Sequence, residues 1–181
     1  MQNMKQPRYD RRSIRLKGFD YSHPGAYFLT ICAAEQKCVF GKIEAGLVHE
    51  NTLGNIVHAC WQQVPDHFAN VEIDAFVVMP NHFHAIIKLK RVIAGPRGPK
   101  TESFGVPLPL SVPTIVRTFK AGVTRDARRI FGDSVMPIWQ RNYYERVIRD
   151  STEYDETCRY IVENPVRWGA DEENPLLANE Q

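Results

Sequence analysis

Phe76-Val77-Val78-Met79-Pro80-Asn81-His82-Phe83-His84-Ala85-Ile86-Ile87-Lys88 holds two apolar runs separated by a Pro-Asn break. Each run is short and rich in β-formers, and a two-residue link suits an antiparallel pair, so strands are expected over 71–79 and 82–90. Strand side chains alternate faces, which puts His82, His84, Ile86 and Lys88 on one side and Phe83, Ala85, Ile87 and Leu89 on the other. The second set makes a core face. The first sets two imidazoles one step apart, where neutral rings can share a divalent cation. A His-x-His triplet also arises as two ordinary polar residues, so it gains meaning only if the rest of the chain supplies a third ligand and a chemical partner.

Upstream of this pair, His23-Pro24-Gly25 marks a turn and 26–33 (AYFLTICA) is expected to be a strand. Residues 39–49, with Gly41 and Gly46, are expected to form a short hairpin or an irregular segment. Over 51–64, Leu53, Ile56, Val57, Cys60 and Val64 recur at helical spacing; Asn51 or Thr52 can cap that helix and Pro65 is expected to end it. Downstream, 91–110 holds Gly95, Pro96, Gly98, Pro99, Gly105, Pro107 and Pro109 and is expected to be a mobile loop inside one domain. Ser111 and Pro113 open the next helix, with Ile115, Phe119, Val123 and Ile130 as its buried stripe and Gly132 as its stop. Residues 143–149 are expected to be a strand. A last helix starts near Asp150 or Ser151, with capping-box spacing from Asp150 to Glu153, an apolar stripe of Tyr154, Cys158 and Ile161, and an end at Asn164 before Pro165.

The chain has 181 residues, which fits one domain, and 43% of them are apolar, enough for a sizeable core. No apolar run approaches the ~20 residues of a membrane span, and the basic N-terminus is followed by no apolar segment, so neither a membrane nor a signal peptide is expected. Cys32, Cys38, Cys60 and Cys158 lack CxxC spacing and sit among apolar neighbours, as free buried thiols of a reducing cytosol do. The net charge is only +2, but it is unevenly spread. A basic arm over 1–25 carries Arg11, Arg12 and Arg15; Lys88, Lys90 and Arg91 begin a basic stretch that runs to Lys100; an acidic tail over 169–181 balances them. Clustered bases favour a polyanion, although such runs are also ordinary solvated surface. Arg117, Lys120 and Arg128 share a helix face that could follow a phosphate backbone or simply meet water. Arg141 and Tyr143 lie in Trp139-Gln140-Arg141-Asn142-Tyr143-Tyr144-Glu145-Arg146, where rings beside cations suit a single-stranded nucleic acid. One of Tyr143 and Tyr144 is expected to pack inward.

On the last helix Glu153, Thr157, Tyr160 and Asn164 form a polar stripe, with Tyr160 and Asn164 one turn apart. A phenol with its ordinary pKa of about 10 is a poor nucleophile until a cation or a held phosphate helps it. Asn164 offers a carbonyl oxygen as a third ligand beside His82 and His84. Each residue also has a plain structural reading, Tyr160 as a half-buried helix tyrosine and Asn164 as a C-cap. Only their combination with the histidine pair points to phosphoryl transfer.

Taken together, Gly25-Ala26-Tyr27-Phe28-Leu29-Thr30, the Phe76–His84 run, Trp139-Gln140-Arg141-Asn142-Tyr143-Tyr144-Glu145 and Tyr160-Ile161-Val162-Glu163-Asn164-Pro165 resemble the HUH single-tyrosine transposases, and most closely the REP-associated tyrosine transposases, over nearly the whole chain. The resemblance implies an α+β ferredoxin-like sandwich of the HUH endonuclease type, an antiparallel sheet with helices packed on it. It implies Tyr160 as nucleophile and His82, His84 and Asn164 as ligands of Mg2+ or Mn2+. Related insertion-sequence transposases often carry Gln where this chain has Asn164; Asn fits the REP-associated subgroup. The implied substrate is single-stranded DNA with a hairpin, at REP-like repeats or element ends, cut to a 5′-phosphotyrosine and a free 3′-OH by a monomer or homodimer in the cytoplasm, at the nucleoid. By the same analogy the arm, the 91–100 segment and the Arg117 stripe contact DNA. Three other readings stand beside this one: a non-catalytic single-stranded nucleic-acid-binding module on the same fold, a replication or relaxase-type nickase, for which the chain is short, and a small structural metal protein, which the cysteine spacing disfavours.

Overall fold

The computed structural model describes residues 20–91, 108–132, 137–170 and 174–175. Four strands form the main sheet: β1 (Gly25–Cys32), β4 (Val71–Val78), β5 (His82–Leu89) and β6 (Tyr144–Ile148), in the order β4-β5-β1-β6, with every neighbouring pair antiparallel. Between β1 and β4 lie a separate hairpin, β2 (Gly41–Glu44) and β3 (Leu47–Glu50), then the helix α1 (Thr52–Gln62) and a single turn α2 (Val64–His67). The helix α3 (Val112–Phe131) joins β5 to β6, and α4 (Ser151–Arg167) follows β6. Counting only the main strands and their crossover helices gives β-α-β-β-α-β with the second crossover reaching the far edge, the ferredoxin-like arrangement. Among the described residues no helix is long and apolar enough to cross a membrane.

Local chemistry accounts for most of these elements. Ala45 and Gly46 both take positive φ, 49° and 75°, which gives the β2–β3 hairpin the twist its strands need. Asn51 caps α1, its Oδ1 accepting from the N–H groups of Leu53 (2.9 Å) and Gly54 (3.0 Å). Pro65 does not end the helical path, as its position suggested. It sits in the first turn of α2, where a missing N–H is harmless. Ser111 precedes α3, but its hydroxyl donates to the Leu108 carbonyl at 2.6 Å instead of capping the helix. Ile130, placed by periodicity in the buried stripe of α3, is 60% exposed; Val112, Val116 and Ala127 complete that stripe. Asp150 caps α4 by accepting from Glu153 N at 2.9 Å, and Glu153 returns a carboxylate to Arg149 N at 2.9 Å. None of the four cysteines forms a disulfide; Cys32, Cys60 and Cys158 are half-buried and Cys38 is exposed, where buried thiols were expected.

Each face of the sheet buries its own core. Tyr27, Leu29, Ile31, Phe83, Ala85 and Ile87 pack against α1 and α3, where Trp61 meets Phe83 and Phe119 edge-on at ring-centroid distances of 4.9 and 5.1 Å. On the opposite face Phe28, Ile86 and Ile148 pack against Ile161 of α4. Strand parity therefore sends His82 and His84 to the α4 side. The helix α4 runs through Pro165 to Arg167, past the end that the Asn164-Pro165 pair predicted. An interior proline removes one helix hydrogen bond and crowds the preceding turn, at roughly 3 kcal/mol. Burial of Ile161 and Asn164 before it, and of Trp168 after it, holds the helix together across the break.

Candidate active site

His82 and His84 lie at the start of β5, 0% and 2% exposed, with ring centroids 4.4 Å apart. The orientation of His82 follows from its neighbour. Asn81 donates through Nδ2 to the Gln36 carbonyl at 3.1 Å, so its Oδ1 faces His82 Nδ1 at 2.8 Å. An amide oxygen only accepts, which places the proton on Nδ1 and the lone pair on Nε2. His84 Nδ1 lies 2.9 Å from Thr30 Oγ1, and the imidazole also hydrogen-bonds the Leu29 backbone. With its proton on Nδ1, Nε2 presents its lone pair on the side of Tyr160. Burial holds the His84 pKa well below the usual histidine range, and the neighbouring His82 lowers it further. Two neighbouring rings, each held at Nδ1 by a polar side chain, are arranged as metal-ligating histidines are.

Across from them, α4 and the residue that caps it supply three side chains. The Tyr160 hydroxyl stands 3.3 Å from His84 Nε2, and the Tyr160 ring lies 5.2 Å from that imidazole. Trp168, two turns further, lies 6.0 Å from His82. Asn164 is four residues from each, so the helical repeat sets it between these two contacts on the side that faces the histidines. It is 2% exposed, and its Oδ1 is buried with no hydrogen-bond partner among the described residues. This orphaned acceptor would be costly in an ordinary helix interior. Asn164 is no C-cap, since α4 runs on to Arg167, and Tyr160 is a helix tyrosine, 41% exposed, with its hydroxyl turned toward a histidine. No group of three His, Cys, Asp or Glu side chains that could hold a metal occurs among the described residues. The side chains on this face that could hold a cation are two imidazoles and one amide oxygen.

The residues expected to touch nucleic acid are scattered. Lys88 is 2.5 Å from Asp74 and stands 4.7 Å over the Tyr154 ring, and Lys90 pairs with Glu72 at 3.5 Å. Lys88 is also four strand residues from His84, about 13 Å. Its charge is engaged at the far end of the strand. Arg117 and Arg128 are exposed on α3, on the opposite side of the sheet from α4. Lys120 on that helix is turned inward, its Nζ donating to the Gln140 carbonyl at 2.6 Å and to that of Arg141 at 3.3 Å. It fixes the segment before β6. Arg141 is exposed beside the histidine end of the sheet, where Gln140 N bonds the Cys32 carbonyl and Cys32 pairs with His82. Tyr143 packs on the α1–α3 core and gives its hydroxyl to Glu145 at 2.6 Å. Tyr144 is the exposed member of the pair, at 45%. Alternation sets the two tyrosines on opposite faces, and the strand pairing shows which faces the site: Tyr144 pairs with Thr30 and Thr30 with His84, in one row across the sheet. Arg11, Arg12, Arg15, residues 92–107 and, of the acidic tail, residues 171–173 and 176–181 lie outside the described residues.

No protein-family model matches the chain. It is 41% identical over 169 residues to an uncharacterized protein of Haemophilus influenzae strain Rd, covering 91% of this chain and 93% of that one. Among solved structures it is similar to a REP-associated tyrosine transposase bound to a REP hairpin, with a TM-score of 0.57 and 20% identity over 90% of this chain and 77% of the other.

Proposed function

From a chain that belongs to one family with the Haemophilus influenzae protein and has the fold of a REP-associated tyrosine transposase, we propose a transposase-like nuclease that cuts and rejoins single-stranded DNA through Tyr160. The observation that carries this reading is the convergence on one sheet face of a tyrosine hydroxyl, two oriented imidazoles and an orphaned amide oxygen. The residues fit a divalent cation. His82 Nε2, His84 Nε2 and Asn164 Oδ1 are neutral donors, a set that leaves the charge of Mg2+ or Mn2+ for phosphate oxygens. When bound, such an ion polarises the phosphoryl group and stabilises the leaving oxygen.

The chain's own residues do the rest. Asn81 holds the His82 proton on Nδ1, and Thr30 and the Leu29 backbone fix the His84 ring. The rigid placement of α4 against Phe28 and Ile86 holds Tyr160 over the site. Tyr160 Oη attacks the phosphorus, the new O–P bond forms as the P–O3′ bond breaks, the phenol proton leaves to solvent and O3′ takes one up. One phosphodiester replaces another, so rejoining is the same step reversed and needs no external energy. A single strand beside a hairpin is the substrate that the resemblance implies, and the structurally similar REP-associated tyrosine transposase is bound to a REP hairpin.

The test is covalent trapping. Labelled single strands with hairpins from the DNA flanking the gene are incubated with Mn2+ or Mg2+ and run on a denaturing gel. A shifted band is expected with wild-type protein, and none with EDTA or with Tyr160→Phe. An adduct that survives Tyr160→Phe refutes the nucleophile. Tight binding with no adduct on any strand leaves the non-catalytic binding module in place of the enzyme.

A further inference from the structure

Phe28 is the hub of the face that carries the site. Its ring stacks on His84 (centroids 5.3 Å apart, 28° between planes), meets Tyr160 edge-on at 6.0 Å, and meets Tyr144 edge-on at 6.4 Å. Phe28 itself is 7% exposed, whereas Tyr160 and Tyr144 are 41% and 45% exposed. Two tyrosines therefore stand on one buried ring with part of each open to solvent. Tyr160 is accounted for by the chemistry above. Tyr144 is not: no hydrogen bond engages its hydroxyl among the described residues, and the packing role open to this pair of tyrosines is taken by Tyr143.

We propose that Tyr144 is the stacking platform for a base of the single strand next to the reacting phosphate, a role that rests on the nuclease reading of Tyr160. The register sets the spacing. Tyr144, Thr30 and His84 are consecutive partners across β6, β1 and β5. Two strand spacings separate Tyr144 from His84, about 10 Å. A stacked strand advances about 3.4 Å per nucleotide, so the base on Tyr144 lies about one to three nucleotides from the phosphate at His84. The neighbouring cation does not compete for the role. Arg146 is held by Glu153 at 3.0 Å and Thr157 at 3.2 Å, with its guanidinium 5.9 Å over Phe28. Its charge is engaged by α4, and what the edge of the sheet offers the strand is the π-face of Tyr144. A stacked base needs only that face, so the contact is tolerant of sequence.

The experiment measures binding of the full chain to labelled hairpin-bearing single strands by fluorescence anisotropy in EDTA, which keeps the strand intact. Tyr144→Leu keeps an apolar side chain against Phe28 and removes the π-face with the hydroxyl; Tyr144→Phe keeps the face and removes the hydroxyl alone. Tyr144→Leu is expected to weaken binding about 5- to 150-fold, with Tyr144→Phe and Tyr143→Phe close to wild type. Strands with single abasic positions give the second readout: one position within about three nucleotides of the cut weakens the wild type and leaves Tyr144→Leu unchanged. Equal binding by wild type and Tyr144→Leu, or an abasic profile identical in the two, overturns the proposal. The covalent adduct separates it from the nuclease reading. Loss of binding in Tyr144→Leu when wild type forms no adduct leaves the platform standing and removes the nuclease. An adduct formed by Tyr144→Leu at an unchanged half-saturating strand concentration does the reverse.

Discussion

Asn164→Leu separates a side chain kept for function from one kept for folding. The amide is 2% exposed and its Oδ1 has no hydrogen-bond partner among the described residues. A buried polar atom left unsatisfied costs about 1–3 kcal/mol. Leucine has the same branched four-atom skeleton with bulkier ends, no polar atom to strand and a better helix propensity by a few tenths of a kcal/mol. The substitution is therefore expected to stabilise the metal-free protein by about 1–3 kcal/mol, which for a chain of this size raises Tm by roughly 3–10 °C. Divalent ion reverses the order. A ligand present at 100 times its Kd stabilises the folded state by about 2.7 kcal/mol, and only the wild type keeps the full donor set. Thermal unfolding followed by circular dichroism, in EDTA and then in Mn2+, reads both effects on the same two proteins. The variant should melt higher than wild type in EDTA and gain little from Mn2+, and its covalent adduct should vanish. A variant that melts lower in EDTA would show that Asn164 is a packing or capping residue. A variant that gains as much from Mn2+ as the wild type would remove Asn164 from the ligand set.

Gly54→Ala is expected to cost several kcal/mol, because a Cβ there would sit 2.1 Å from the Phe40 carbonyl oxygen, a backbone atom that cannot step aside; a variant within 1 kcal/mol of wild type in urea unfolding would contradict the close approach. Burial pushes Lys120 down to about 8 from its ordinary 10.5, so between these values the unfolded chain binds more protons and stability rises with pH. The rise is at most about 3 kcal/mol, reduced by the two carbonyls that hold the ammonium; it should be present in wild type, absent in Lys120→Met, and equal slopes in the two proteins would refute it. Arg117→Ala and Arg128→Ala are expected to leave binding of a short hairpin-free single strand unchanged in anisotropy titrations, since α3 lies on the face away from Tyr160. A salt slope lowered by about 0.7 per substitution would instead place that strand against α3.

Much of the site was legible before any fold was built. A side-chain period of two assigns His82 and His84 to one face and Phe83, Ala85 and Ile87 to the other, and the structure keeps that division. The helical repeat likewise puts Tyr160 and Asn164 on one face, and short-range capping rules locate the starts of α1 and α4. These are local matters, decided by backbone geometry within a turn or a few strand residues. The same local rules misplaced the end of α4, because Pro165 breaks a helix only where nothing else holds it, and the docking of Ile161, Asn164 and Trp168 does.

Three features needed the tertiary structure. The first is the meeting of Tyr160 with His84, 76 residues apart, which depends on α4 covering the histidine face of the sheet when α1 and α3 cover the other. The second is the choice between Tyr143 and Tyr144: both are adjacent strand tyrosines, and only the pairing of β6 with β1 decides which points to the site. The third is which cations are free to act. Lys88, Lys90 and Lys120 carry the same charge in the sequence as Arg141, but Asp74, Glu72 and the carbonyls of the 140–141 segment engage them. Sequence by itself determined the faces of the elements, because each face is a property of a short repeating backbone. Tertiary structure decided which faces meet, because that choice minimises exposed apolar area over the whole chain, a sum to which no single segment holds the answer.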